Sequence, residues 1–313
     1  MSDLKAPFPW FGGKSRVAHI VWDRLGNVPN YVEPFAGSLA VLLGRPHTPH
    51  IETVNDRDCF IANFWRAAQH DPDGVAHYAD QPVNEADQHA RHLWLIQQSD
   101  WAEQLKTDPD YYDVKVAGWW VWGQSIWIGS GWCAGHRQLP HLGDAGKGVD
   151  ESAESGRTSA TPVQEYMRQL CSRLRYVRVC CGDWSRVCGP SPTVKLGITG
   201  VFLDPPYADE ADRQSDLYAV DDLQVAHEVR KWAISNGDNP EMRIALCGYE
   251  GEHDIPASWE CFAWKARGGY GSQSAGRGRD NAKRETIWFS PGCLKPPTLF
   301  NQQLVDEDAA VLV

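Results

Sequence analysis

Short apolar segments alternate with amphipathic ones along much of this chain, and this alternation constrains the fold more than any other feature of the sequence. Strands are predicted at residues 31–34, 51–54, 176–181, 200–203, 243–247 and 286–289. Helices are predicted between them at residues 15–25, 38–43, 60–68, 164–175 and 222–236, where apolar residues recur at helical spacing. Strands that alternate with helices are typical of an α/β fold with a mostly parallel sheet.

The middle of the chain, residues 69–162, does not follow this alternation. It contains a largely polar helical stretch at 85–98, followed by residues 118–132, which hold five tryptophans interleaved with glycines. Residues 143–161 are rich in Gly, Ser, Ala and charge, a composition typical of flexible segments. We therefore predict a sheet domain formed by residues 1–68 and 163–313, and an insert at 69–162 whose segment 143–161 is flexible.

Composition excludes several classes of protein. No apolar run is long enough to span a bilayer, and the first ten residues lack the basic and apolar pattern of a secretory signal. The nine cysteines include no Cys-x-x-Cys pair, so no metal site is expected, and we interpret the cysteines as reduced, small apolar residues. The sequence predicts a cytoplasmic protein that uses neither a membrane nor a metal.

The net charge of −11 disfavours nucleic acid as a partner, but the charge is unevenly distributed. Residues 265–284 contain a single acid, Asp280, against six basic residues: Lys265, Arg267, Arg277, Arg279, Lys283 and Arg284. A local basic segment can contact DNA phosphates on an acidic protein, although a solvated loop has the same composition.

The motif with the most specific chemistry is Asp204-Pro205-Pro206-Tyr207, directly after the predicted strand 200–203. Ligands of open α/β sheets bind at the carboxyl ends of the strands. Two prolines stiffen the backbone there and remove two amide donors. The Asp204 carboxylate and the Pro205 carbonyl could accept both N–H bonds of an exocyclic amine, and Tyr207 could stack on the base. A strand-ending acid followed by a proline turn would look the same.

A second motif, Glu33-Pro34-Phe35-Ala36-Gly37, connects a predicted strand to a predicted helix. Gly37 allows a cofactor to approach the backbone, and a helix N-terminus offers N–H donors. A dinucleotide site would need Gly-x-Gly-x-x-Gly at this turn, and only Gly37 is present, which disfavours a nicotinamide enzyme. An ordinary strand-to-helix turn is the alternative interpretation.

Three further groups could complete a cofactor site. Trp10 and Lys14 flank a Gly-Gly turn before the first helix, where Lys14 could pair with a carboxylate. Asp56 follows the second strand, where a ribose diol is normally held, and Asp183-Trp184 follows the predicted strand 176–181 and could flank an adenine ring. The same residues could instead be helix caps, a solvated lysine and a core tryptophan.

Taken in order, these motifs resemble the Dam-like, D12 class of adenine-specific DNA methyltransferases. That family has Trp-x-Gly-Gly-Lys, Glu-Pro-Phe-x-Gly, an acid after the next strand, a target-recognition insert and finally Asp-Pro-Pro-Tyr, and this chain has each in that order. The resemblance covers most of the chain. It implies a Rossmann-like methyltransferase sheet from 1–68 and 163–313, a target-recognition insert at 69–162, and methyl transfer to adenine N6 at Asp204, Pro205, Pro206 and Tyr207.

The resemblance also implies a cofactor and a partner. S-adenosyl-L-methionine would be held by Trp10, Lys14, Glu33, Phe35, Gly37, Asp56, Asp183, Trp184 and Asp204. Lys14 would meet the methionine carboxylate and Asp56 the ribose, whereas the family varies at Asp183-Trp184. The partner would be double-stranded DNA, bound by a monomer in a bacterial or phage-infected cell. No metal and no covalent enzyme intermediate is implied, so catalysis would depend on positioning and hydrogen bonding.

The insert departs from the family pattern. Where the family has Gly-Leu-x-Arg in a hairpin that contacts the target, this chain has residues 131–137, with Trp132 after the glycine, Ala134 at the arginine position and Arg137 displaced. We predict that Trp132, Arg137, Lys265, Arg267, Arg277 and Arg279 contact DNA. The GATC target common in the family is not assumed.

Three other functions are compatible with parts of this pattern. Cytosine N4 in DNA or an exocyclic amine in RNA would suit the same acceptor geometry, although cytosine enzymes more often begin the tetrapeptide with Ser. A DNA-binding relative without catalysis could use the tryptophan-rich insert for stacking. An oxidoreductase is disfavoured by the missing glycine-rich turn.

Overall fold

The computed structural model describes residues 4–10, 13–98, 100–108, 110–128, 131–133, 139–143, 162–206, 224–249, 251, 254–264 and 285–295. Its strands are β1 Asn30–Glu33, β2 Ile51–Asp56, β3 Trp127–Ile128, β4 His141–Leu142, β5 Arg178–Cys181, β6 Thr199–Leu203, β7 Met242–Tyr249, β8 Glu260–Ala263 and β9 Glu285–Phe289. Its α-helices are α1 Ala18–Leu25, α2 Ala40–Leu43, α3 Cys59–His70, α4 Pro72–Ala79, α5 Glu85–Gln97, α6 Asp100–Thr107, α7 Val114–Gln124, α8 Val163–Leu174 and α9 Val225–Asn236.

Seven of these strands form one sheet in the order β5-β2-β1-β6-β7-β9-β8. Strands β5, β2, β1, β6 and β7 are parallel to one another, and β9 runs antiparallel to both of its neighbours. Strands β3 and β4 form a separate antiparallel pair within residues 69–162, the predicted insert. The predicted α/β fold with a largely parallel, Rossmann-like sheet is confirmed.

The strand order reverses between β1 and β6. From β1 the chain moves outward to β2 and β5, and then crosses back to place β6 on the other side of β1. At such a switch point the loops after the two strands diverge to opposite faces of the sheet and leave a crevice at the carboxyl ends. Glu33 ends β1 and Asp204 follows β6, so both lie at this crevice.

Helices cover both faces of the sheet, because side chains on a strand point alternately to either face. On β6, Phe202 faces the apolar cluster that includes helices α1, α3, α7 and α8. Its neighbours Val201 and Leu203 face a second cluster that includes α9. Insert residues such as Val75, Leu95 and Trp120 belong to the first cluster. The insert helices therefore share a core with one face of the sheet.

The tryptophan-rich segment is mainly a buried helix. In α7, Trp120 and Trp122 are at most 2% exposed. Trp132 is also buried, and its indole N–H donates to the carbonyl of Trp120 over 3.0 Å. A Cβ on Gly123 would overlap the Trp132 ring, so the glycine allows this ring to lie directly on the helix. Packing explains the spacing of glycines and tryptophans at this point.

Two expectations about the sheet differ from the structure. Tyr176 is 83% exposed and lies before β5, which begins only at Arg178, and Cys180 and Cys181 are half-buried because β5 is an edge strand. Strand β8 was not predicted. Its residues are mostly exposed, so it lacks the continuous apolar pattern by which the buried strands were found.

The predicted flexible segment 143–161 lies outside the described residues except for Gly143. The predicted start of the insert at residue 69 falls within α3. In the part of the chain that the structure describes, no helix has the length and apolarity to cross a bilayer. The same residues contain no cluster of three or more metal-ligating side chains.

Candidate active site

A cleft of about 1340 Å³, including space open to solvent, lies at the carboxyl ends of β1, β2, β5 and β6. Its walls include every predicted cofactor residue: Trp10, Lys14, Glu33, Phe35, Gly37, Asp56, Asp183, Trp184 and Asp204. These residues are up to 194 positions apart in the chain, from Trp10 to Asp204. Parallel strands bring their following loops to one edge of the sheet, and the structure places all nine predicted residues there.

Asn55 joins three of the loops that form the cleft. Its Nδ2 donates to the carbonyl of Pro34 after β1 and to that of Gly182 after β5, each over 3.0 Å. Its own carbonyl accepts from the backbone N–H of Ala36 over 2.8 Å. Since Asn55 is 1% exposed, these bonds do not compete with water. The floor of the cleft is therefore fixed by one buried amide that the sequence analysis did not single out.

The turn after β1 requires glycine at position 37. Gly37 has φ of +44°, a region that side chains disfavour, and a Cβ there would lie 2.6 Å from the Trp10 indole nitrogen. Trp65 also donates its indole N–H to the carbonyl of Gly37 over 3.0 Å. The Trp10 ring thus packs directly on the backbone of the turn and forms part of the cleft wall.

Asp56, the last residue of β2, is held by backbone donors. One carboxylate oxygen accepts from the N–H of Gly37 over 3.1 Å, and the other accepts from the N–H of Asp58 over 3.0 Å. Burial raises the pKa of Asp56 to about 6, although these backbone hydrogen bonds oppose the shift. A carboxylate has about four acceptor positions, so the group can still accept a hydrogen bond from a diol.

Aromatic rings stand beside Asp56. Phe35 and Trp184 are stacked with their centroids 6.3 Å apart and an interplanar angle of 28°. Trp184 is buried and also makes an edge contact with Trp232 of α9. Asp183 is exposed and accepts from the backbone N–H of Ser185 over 3.0 Å, which caps a 3₁₀ helix at Trp184–Val187. Asp183 therefore caps the 3₁₀ helix and also lines the cleft.

Glu33 is a buried acid at the centre of the cleft. It is 2% exposed and accepts from the hydroxyl of Tyr31 over 2.9 Å. Burial raises the pKa of Glu33 to about 8, the Tyr31 hydrogen bond opposes that shift, and the negative charge of Asp204 adds to it. Burial therefore favours the protonated form of Glu33.

Lys14 connects Asp204 to a residue that the sequence analysis left without a role. Its ammonium lies 2.9 Å from Asp204 Oδ2 and 3.3 Å from Glu285 Oε2. Burial, the largest single influence, lowers the pKa of Lys14, but the charges of Asp204 and Glu285 together raise it above its ordinary value. Glu285 is the first residue of the apolar strand β9. An acid next to an apolar strand is the sequence signal by which Glu285 could have been found.

The tetrapeptide after β6 begins at the rim of the same cleft. Asp204 is 19% exposed at its side chain, and Pro205 and Pro206 also line the cavity. The carboxylate of Asp204 and the carbonyl of Pro205 are acceptors in adjacent residues. Tyr207 lies outside the described residues.

The insert supplies a further wall of the cleft. Four residues in and after α7 line it: Trp120, Gln124, Trp127 and Trp132. Of the residues predicted to contact DNA, only Trp132 is described, and its ring is buried against α7 in this wall. Arg137, Lys265, Arg267, Arg277 and Arg279 lie outside the described residues. Sequence patterns did not reveal the aromatic wall, because tryptophans in a core helix have the same spacing.

Comparison with known families agrees with the geometry of the cleft. No curated protein matches the chain. Residues 10–152, which contain Trp10, Lys14, the Glu33–Gly37 turn and Asp56, match the family model described as D12 class N6 adenine-specific DNA methyltransferase. Asp204 follows this matched region in the chain and completes the cleft formed by it. Over residues 10–152 the chain is therefore similar to the D12 class of N6 adenine-specific DNA methyltransferases.

Proposed function

We propose that the cleft binds S-adenosyl-L-methionine beside an adenine extruded from double-stranded DNA, and that Asp204, Pro205, Pro206 and Tyr207 hold the adenine amino group for methyl transfer. One observation carries this proposal. An acceptor pair, the Asp204 carboxylate and the Pro205 carbonyl, lies at a cavity whose lining also contains the Asp56 carboxylate and aromatic rings.

The residues present fit an adenosyl cofactor. Asp56 is oriented by two backbone N–H groups and keeps lone pairs for ribose hydroxyls. Phe35 and Trp184 offer apolar ring surfaces for an adenine moiety. Gly37 brings the backbone close to the cavity without a side chain in the way. These features support assigning this half of the cleft to the cofactor.

Lys14 has three N–H donors, and two of them are directed at the carboxylates of Asp204 and Glu285. The predicted contact between Lys14 and the methionine carboxylate would add to the present contacts of the ammonium group or replace one of them. This contact is therefore part of the proposal and is compatible with Lys14 also holding Asp204.

When bound, the cofactor supplies an electrophilic methyl group on a sulfonium sulfur. The lone pair of adenine N6 is delocalised into the ring, so the amine is a weak nucleophile. Asp204 and the Pro205 carbonyl accept its two N–H bonds and thereby localise the lone pair toward the methyl group. As the N–C bond forms, the bond between the methyl group and sulfur would break and leave its electron pair on sulfur. An amino proton must also leave, and the Asp204 carboxylate is the acceptor that would be hydrogen-bonded to it. The protein acts by positioning and electrostatics.

The DNA partner must deliver its base to this cleft. Extruding a base from a duplex costs a few kcal/mol, which stacking and hydrogen bonds in the pocket offset. Tyr207 is proposed to stack on the base, and Trp132, Arg137, Lys265, Arg267, Arg277 and Arg279 to contact DNA. The enzyme is proposed to act as a monomer without a metal.

The proposal is tested by Asp204→Asn, which keeps the size of the side chain and removes its charge. We expect a loss of methyl transfer of roughly 100-fold or more, in the range seen when one preorganised polar group is removed from an active site. Single-turnover transfer of labelled methyl from S-adenosylmethionine to duplex DNA measures the rate. Asp238→Asn, on an exposed position after α9, is the matched control and should leave the rate unchanged.

The chemical identity of the product is read by digesting the methylated DNA to nucleosides and separating them by mass spectrometry. N6-methyladenosine is expected. A product methylated at cytosine N4, or transfer to RNA alone, would contradict the assignment of the substrate. Full activity in Asp204→Asn would contradict the assignment of the site.

A further inference from the structure

We infer that Glu285 is a positioning residue for methyl transfer: it holds the ammonium group of Lys14, which in turn holds the Asp204 carboxylate at the tip of β6. The inference rests on the proposed role of Asp204. It adds Glu285 of β9, a strand separated from β6 by β7. Glu285 does not itself line the cleft. Its effect on the reaction must therefore pass through Lys14.

The sheet topology explains how Glu285 reaches this position. Strand β9 is antiparallel to β7, so its first residue, Glu285, pairs with Tyr249 at the carboxyl end of β7. In the parallel pair on the other side of β7, Leu203 of β6 pairs with Leu246. The start of β9 and the end of β6 therefore lie at the same edge, with β7 between them. Lys14 crosses the end of β7 and contacts a carboxylate on each side.

Burial makes these contacts specific. The side chains of Lys14 and Glu285 are each 4% exposed, so water does not replace either partner, whereas Asp204 is 19% exposed toward the cleft. Other groups surround the same ions: the Cys247 thiol on β7 is hydrogen-bonded to Asp204, and the Trp264 ring after β8 lies 5.9 Å from the ammonium. Glu33 on β1 adds its charge near Asp204 when it is ionised.

The charge balance suggests why two carboxylates hold one lysine. An ammonium 2.9 Å from Asp204 orients that carboxylate but also withdraws negative charge from it. A second carboxylate on the same ammonium offsets that withdrawal, so Lys14, Asp204 and Glu285 together carry one net negative charge. The amino nitrogen becomes more positive as it bonds to the methyl group. Asp204 can then stabilise the developing charge while its orientation stays fixed.

A purely structural role for Glu285 would give a different result. If Glu285 only anchored the segment around Lys14, its replacement would reduce stability or the amount of folded enzyme, and the pH dependence of the transfer step would not change. If it acts through Lys14, removing its charge lowers the pKa of Lys14, because one of the carboxylates that raise that pKa is lost. The pH profile of the transfer rate distinguishes the two roles.

The experiment compares the full-length enzyme with Glu285→Gln and Glu285→Asp. Glu260→Gln is the matched control, because Glu260 is an ion-paired glutamate on the neighbouring strand β8 at the opposite end of β9. Single-turnover methyl transfer to duplex DNA is measured across neutral and alkaline pH, and binding of S-adenosylmethionine is measured by calorimetry.

For Glu285→Gln we expect the transfer rate to fall about tenfold or more while cofactor affinity is retained. Any alkaline limb of its rate profile should lie at lower pH than in the wild type, because the pKa of Lys14 falls when the charge of Glu285 is removed. Glu285→Asp restores the charge, so it should return the limb toward the wild-type position at an intermediate rate. Glu260→Gln should match the wild type in rate and in profile.

Either of two results would overturn the inference: a wild-type rate in Glu285→Gln, or a lower rate with an unmoved pH profile. If Glu285→Gln does not fold, the rate of Glu285→Asp tests the inference instead. The shorter side chain of this variant lengthens the contact with Lys14, so an unchanged rate would again overturn the inference. Failure of the proposed function looks different, since the wild type would then methylate no adenine or Asp204→Asn would remain active.

Discussion

At the scale of single residues, backbone donors and buried ions fix the polar groups of the cleft. Asp56 is the clearest case, because both of its oxygens accept backbone N–H bonds, from Gly37 and Asp58. These bonds favour the ionised form, but burial disfavours it more strongly, and the net result is a pKa of about 6. The residue proposed to hold the ribose therefore titrates close to neutral pH.

This titration predicts a pH dependence of cofactor binding. The ionised carboxylate accepts ribose hydroxyl bonds better than the protonated acid, so affinity for S-adenosylmethionine should fall as pH falls through about 6. Well below that value the loss should approach about tenfold per pH unit, as expected for linkage to one proton. Calorimetric titration at several pH values measures it.

Asp56→Asn provides the control for this measurement. Asp58, whose pKa is raised to about 7 by burial and then by the charge of Asp56, titrates nearby. A dependence that persists unchanged in Asp56→Asn would belong to Asp58 or another group and would contradict the role of Asp56. An affinity that does not vary with pH in the wild type would contradict it as well.

At the scale of elements, α7 shows how the insert is built into the core. Gly123 lets the Trp132 ring lie on the helix, and that ring forms part of the cleft wall. The helix begins at a cap in which the Asp113 side chain accepts from the N–H groups of Lys115 and Val116. A helix placed by a cap at one end and a close aromatic contact at the other has little freedom to shift.

Gly123→Ala should therefore destabilise the protein. The added methyl group overlaps the Trp132 ring, and overpacking of this kind typically costs about 1–3 kcal/mol. Chemical denaturation measures the free energy of unfolding. Gly189→Ala is the matched control, because a Cβ at Gly189 meets no atom within 4 Å. Equal stabilities of the two variants would show that Trp132 can move aside at no cost.

At the scale of the whole molecule, a buried ion network joins the two parts of the sheet domain across the insert. Glu52 of β2 contacts Arg45, which follows α2, over 3.0 Å, and Arg173 of α8 over 2.7 Å. Arg45 also donates to the carbonyl of Val28, and Arg173 to that of Leu42. Helix α8 begins where the chain returns from the insert, so these contacts fix the returning segment against β2.

Removing the charge of Glu52 should affect the stability of the whole fold. Glu52→Gln leaves two arginines without their shared carboxylate, and breaking a buried ion pair in this way typically costs about 3–5 kcal/mol. The free energy of unfolding measures this effect. Asp73→Asn removes the exposed pair with Arg168 and should leave the free energy of unfolding nearly unchanged. Equal effects of the two variants would contradict a central role for Glu52.

Much of the molecule follows from local sequence. Strands β1, β2, β6, β7 and β9 are apolar segments, and their alternation with helices along much of the chain predicted both their positions and a largely parallel sheet. Motifs directly after the strands also predicted the cleft, because parallel strands always bring those loops to one edge. Strand β8 was not predicted because most of its residues are exposed, and exposed strands lack a continuous apolar pattern.

The sequence by itself thus determined the sheet and which loops would form the site, since both depend on the period of apolar residues and on polar residues next to strands. Tertiary structure alone decided the partners of those loops. Glu285 meets Lys14 only because β9 runs antiparallel beside β7, and Asn55 joins loops more than 100 residues apart. Contacts between distant segments depend on strand order and direction, and no local pattern of residues encodes either.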